Sequence, residues 1–92
     1  MAAPDVLNPH PPEFERFLHA SVGEDRNGHV VTVLSTLARL GLDPWAETAD
    51  LVTLGHDAAR ARLGHLLARF RDVPALASDH GRVARDLSQL LP

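Results

Sequence analysis

From Pro12 onward the apolar side chains recur mostly at intervals of three and four. Phe14, Phe17 and Leu18 fall at i, i+3 and i+4, and proline is tolerated in a first helical turn, so the pattern predicts a short helix to about residue 19. Val30, Val33, Leu34, Leu37 and Ala38 fit the same template over about a dozen residues. That segment has a rival reading: Val30, Val31, Thr32 and Val33 suit a strand, and Asn27-Gly28 suits the turn of a hairpin back to FLHASV. The length of the match favours helix, with Asn27 as its cap and Glu24 and Asp25 near its positive end.

Gly41 then supplies a left-handed stop, and Asp43-Pro44 supplies a capping oxygen and a first-turn proline for a helix from 44 to about 54. There Trp45, Ala49 and Val52 share the core face, while Glu47 and Asp50 face away. Gly55-His56-Asp57 breaks the chain again, with Asp57 as cap. In the helix from 58 to about 71, Ala59, Leu63, Leu66, Leu67 and Phe70 form one stripe opposite Arg62, His65 and Arg69. Asp72-Val73-Pro74 ends it. Ser78 or Asp79 caps a last helix in which Val83, Leu87, Leu90 and Leu91 share a face.

Short connections between amphipathic helices predict an all-α fold, a compact bundle of four main helices plus a short N-terminal helix. Residues 1–12 hold four of the seven prolines and read as an extended Pro-rich arm; residues 13–92 read as a single helical domain. Composition strengthens the helical expectation. The 92-residue chain has no Lys, Cys, Tyr or Ile, is dominated by Leu and Ala, and draws all nine of its cationic side chains from Arg. ARLG recurs but is too short to define a repeat.

The missing residue types narrow the chemistry. Without Cys there is no disulfide, thiolate nucleophile or Cys-ligated metal, and without Lys no Schiff base or P-loop lysine. The N-terminus lacks the basic and apolar regions of a signal peptide, and the uncharged stretch from 28 to 38 is far short of the ~20 residues of a membrane span. A soluble, cytoplasmic protein with no membrane span and no cofactor is expected.

VGEDRNGHVV, residues 22–31, gathers carboxylates, an arginine and a histidine between apolar runs. Asp25, Asn27 and Gly28 match part of a calcium loop, but its first and last ligand positions would be Gly23 and Leu34, which excludes that motif. A carboxylate and imidazole metal set is the alternative: Glu15 and His19 lie four apart, as do Asp25 and His29. Catalysis is disfavoured. Ser35 and Thr36 lie within a helix with no histidine nearby in sequence, Ser78 is accounted for as a cap, and His56-Asp57 are adjacent.

Charge is divided along the chain. Residues 1–57 carry nine acids and three arginines, net −6; residues 58–92 carry six arginines and three acids, net +3; together these give the chain's −3. Arg60, Arg62, Arg69 and Arg71, joined by Arg82 and Arg85, form the candidate interaction surface. Nucleic-acid binding is a further alternative, disfavoured by the overall negative charge and by the lack of aromatic side chains among the arginines. The lead expectation is a non-enzymatic accessory or regulatory subunit that docks on a protein partner in a larger assembly, or on a second copy of itself. No motif carries a resemblance to a family of assigned activity.

Overall fold

The computed structural model describes residues 12–92; the expected N-terminal arm, Pro12 apart, lies outside the described residues. A 3-10 turn at Pro12–Phe14 leads into helix α1, Glu15–Leu18, a single turn that buries Phe14, Phe17 and Leu18 as the spacing predicts. The segment after it departs from the expected all-α fold. Strands β1, Ser21–Glu24, and β2, Val30–Thr32, pair antiparallel, with Ser21 opposite Thr32, Gly23 opposite Val31 and Glu24 opposite Val30. The molecule is mostly helical with a small two-stranded sheet.

The hairpin reading, set aside on the sequence, is the correct one for this segment. Val30 fits both a helical and an alternating pattern, and the β-branched run Val30-Val31-Thr32 is at ease in a pleated strand. Val31 and Val22 turn into the core, while Val30 is 63% exposed. Asn27 lies in the five-residue connection 25–29 and caps no helix; Thr32 takes that role for α2, Val33–Arg39, its Oγ1 accepting from the Ser35 amide at 3.2 Å. The helix that the periodicity detects is real but starts only where the strand ends.

Helix α2 stops as its glycine predicts. Gly41 has φ +83°, its amide donates to Ala38 O, and the Leu42 amide donates to Leu37 O, both at 3.0 Å, closing the last turn. Asp43 Oδ1 then accepts from the amides of Trp45 and Ala46 and caps α3, Pro44–Leu54. The rotation of α3 about its axis differs from expectation. Glu47, Thr48 and Leu51 face inward, Ala49 is exposed, and Trp45 and Val52 are half-buried. Polar groups can lead a helix into the core when each finds a partner there: the Thr48 hydroxyl donates to Pro44 O at 2.7 Å, and Glu47 meets Arg62.

Helix α4, His56–Ala68, buries Ala59, Leu63, Leu66 and Leu67, the predicted stripe, and Phe70 stays buried beyond its end. Asp57 sits inside its first turn and caps nothing; the N-cap is Gly55, with no side-chain hydrogen bond. Helix α5, Leu76–Ser88, starts earlier than Ser78 or Asp79 would have it, because Val73, Pro74 and Ala75 already turn, their carbonyls accepting from the amides of Leu76, Ala77 and Asp79. Gly64 of α4 faces Ala84 of α5, so the two helix backbones approach closely. Phe17, Leu18, Val33, Leu37, Leu51, Leu63, Val73 and Leu76 are the large fully buried apolar side chains of the core. No helix among the described residues is long and apolar enough to cross a membrane.

Candidate functional site at the hairpin corner

The stretch VGEDRNGHVV folds into a hairpin that leans on the connection between α4 and α5. Its loop is organised by Asp25. The Asp25 amide donates to His29 O at 2.9 Å, and Asp25 Oδ1 accepts from the amides of Asn27 at 2.9 Å and His29 at 3.0 Å. The His29 amide is the main influence holding the Asp25 carboxyl below its ordinary pKa; desolvation opposes it, and the Asn27 amide with the nearby His29 and Arg39 charges reinforces it.

One contact ties the loop, and another the end of α2, to the distant connection. Arg26 Nη2 donates to Arg71 O at 3.4 Å, and Arg39 pairs with Asp72 at 3.3 Å. Behind them the chain crosses itself tightly: Gly23, at φ +139°, lies where an added Cβ would stand 2.8 Å from Val73 Cγ1. Glycine is required there on two counts, backbone angle and space.

Two depressions flank Arg26. One, of about 220 Å³, is lined by Asp25, Arg26, Asn27, Arg39 and Asp72. Its charges answer one another. The other, of about 420 Å³, is lined by Arg26, Ala68, Phe70, Arg71, Val73, Pro74 and Ala77, a mixed surface with two arginines and no acidic residue.

The sequence-predicted arginines do not act as one patch. Arg62 lies against the buried Glu47, its Nε donating to Oε2 and its Nη2 to Oε1 at 3.0 Å, and this carboxylate raises the Arg62 pKa further. Arg82 is shared between Asp79 at 3.2 Å and Asp86 at 3.8 Å, and Arg85 lies 3.8 Å from Asp86. Arg60, Arg69 and Arg71 are exposed and have no ion-pair partner among the described residues. At 100° per residue, Arg60 and Arg69 point to roughly opposite sides of the α4 axis, so Arg60 stands apart from the corner.

The four candidate metal ligands stay in two pairs. Glu15 and His19 are exposed on and just after α1, joined by the His19 amide donating to Glu15 O. Asp25 and His29 face each other across the loop at 3.8 Å, with His29 79% exposed. No group of three or more carboxylate or imidazole side chains arranged for a metal occurs among the described residues. The hydroxyl of Thr36 donates to Thr32 O and that of Ser88 to Arg85 O, so both serve the backbone.

The residues missed by sequence reasoning are Arg26 and Arg39 as corner ties and the lining from Phe70 to Ala77. The Asn27-Gly28 step and the Asp72-Val73-Pro74 break were the available signals, each pointing to a turn but neither to the other. Comparison with protein-family models, with curated proteins and with solved structures finds no match.

Proposed function

We propose that this protein is a non-enzymatic accessory subunit that docks on a larger protein assembly through the cationic end of α4 and the connection that follows it. The observation that supports this reading is the uneven pairing of its arginines. Arg39, Arg62, Arg82 and Arg85 each meet a carboxylate, whereas Arg69, Arg71 and Arg26, the last of which touches the Arg71 carbonyl, meet none among the described residues. Unpaired guanidinium groups next to apolar surface suit an acidic protein face, since guanidinium is weakly hydrated and enriched at interfaces.

The test joins light scattering on the intact protein with crosslinked capture from its source lysate at low and high salt. The expected result is a defined partner, retained less well at high salt and lost with Arg69→Glu and Arg71→Glu combined while helicity and melting are unchanged. A strictly monomeric protein that captures nothing specific overturns the proposal. Preferential binding of oligonucleotide, weakened by salt in proportion to phosphates contacted, would replace it with the nucleic-acid reading.

A further inference from the structure

We infer that the depression between Arg26 and Arg71 is a docking groove for an extended acidic segment of the partner protein, which inserts one aliphatic side chain and lays carboxylates on the two guanidinium groups. This rests on the docking function proposed above and names its site and the chemistry of its occupant.

The groove's volume, about 420 Å³, lies toward the lower end of the roughly 300–1,000 Å³ typical of ligand sites, room for a side chain or two and too little for a helix face. Its lining is part apolar and part polar: Ala68, Pro74 and Ala77 are exposed along it, while Phe70 and Val73, at 5% and 1% exposure, lie beneath them. An aliphatic side chain entering it would trade water for these carbons, the term that drives most association.

Charge selects the rest of the occupant. The groove carries two arginines and no acid, in contrast to the adjoining depression, where Arg39 and Asp72 satisfy each other. Arg26 uses one N–H on the Arg71 carbonyl, leaving the remaining four of its five donors for a ligand, and Arg71 has no ion pair among the described residues. Arg26 is also placed in advance. It follows Asp25, whose carboxylate fixes the loop through two backbone amides, so less ordering is needed when a carboxylate arrives. A single-stranded nucleic acid would ask for exposed aromatic faces, and the one aromatic ring in this lining is buried.

The experiment pans a display library of short random peptides against the intact protein, then measures the most enriched peptide, labelled, by fluorescence anisotropy. Enriched peptides are expected to pair Leu, Ile, Val or Met with Asp or Glu one or two positions away. Arg26→Glu and Arg71→Glu should each weaken binding by about tenfold or more, as loss of a charge-assisted hydrogen bond does. Ala77→Trp, at an exposed position that fills the groove, should remove binding, and Arg60→Glu should leave it intact.

Several results would overturn the inference: no enrichment, enrichment without acidic residues, or binding indifferent to both Arg26→Glu and Ala77→Trp. So would a dimer dissolved by Ala77→Trp, making a second copy the occupant, or an oligonucleotide held by the same arginines and untouched by that tryptophan. The two proposals fail separately. If the lysate partner survives Arg26→Glu and Ala77→Trp, the groove is refuted and the docking function stands; if no partner exists, the docking function fails whatever the peptides show.

Discussion

At the seam between α3 and α4, the buried Glu47 carboxylate receives both arms of Arg62, and Thr48 returns its hydroxyl to Pro44. At the hairpin corner, Arg26 and Arg71 border a depression with no acidic residue in its lining. The same residue type therefore has two uses in one small chain. Charge at the seam is consumed in holding two helices together, and every buried side-chain polar atom among the described residues has a partner. At the corner Arg39 pairs with Asp72 and Arg26 gives one donor to the Arg71 carbonyl, but neither Arg26 nor Arg71 meets a carboxylate among the described residues, so part of the charge there is not compensated by the fold.

Substitutions at the two places separate these uses. The largest loss is expected from Leu51→Ala at the seam, where truncation of a fully buried leucine costs roughly 2–5 kcal/mol, read as a lower denaturation midpoint at unchanged slope. At the corner, Gly23→Ala comes next, at roughly 2–4 kcal/mol from a backbone angle hostile to a side chain together with the clash at Val73. A neutral Gly23→Ala, measured by the same denaturation, would show that the corner yields freely and has no fixed shape.

Arg62→Ala follows at about 2 kcal/mol, below the range for fully buried pairs because its side chain is 45% exposed and water screens it. It should cost more than Glu47→Ala, since removing the arginine strands a buried carboxylate while removing the glutamate leaves a guanidinium that can turn to water. Equal losses would mean that the seam carboxylate is not in fact shielded.

Asp25 gives the corner an acid limit. Its carboxyl is held below the ordinary value of 3.8, so its contribution is present above that value and is lost as pH falls through the lower folded value. The protection of the Asn27 and His29 amides against exchange, taken relative to their intrinsic rates, should fall only below the ordinary carboxylate range, and Asp25→Asn, which keeps an acceptor oxygen, should flatten that response. The smallest effect has the opposite sign. Gly64→Ala adds a methyl at ordinary contact distance from Ala84 within a helix and should stabilise by about 0.5–1 kcal/mol.

What the sequence makes legible is whatever its neighbours decide. Phe14, Phe17 and Leu18, the Asp43-Pro44 cap, the Gly41 stop and the Leu63 to Phe70 stripe depend on residues within a turn or two, and each is found in place. The hairpin escaped because Val30 satisfies two periodicities and only tertiary packing chooses between them. The inward turn of α3 escaped because apolarity alone cannot see that Glu47 would find Arg62 fifteen residues later. The Asp72-Val73-Pro74 break was legible as a boundary, but the helix it precedes winds up from backbone turns without a capping side chain. The candidate groove was the least legible feature, since its two arginines are 45 positions apart and only one of them lay in the charge cluster that the composition picks out.

The crossing of Gly23 over Val73 makes the hairpin depend on a segment fifty positions further along the chain. A hairpin of three and four residues is too short to persist alone, and it is held from several sides: the Val33 amide donates to Ala20 O, Val22 and Val31 are buried in the core, and Gly23 lies against Val73. A substitution that loosens the packing around Val73 should therefore reach the hairpin as well, read as faster amide exchange along β1 and β2.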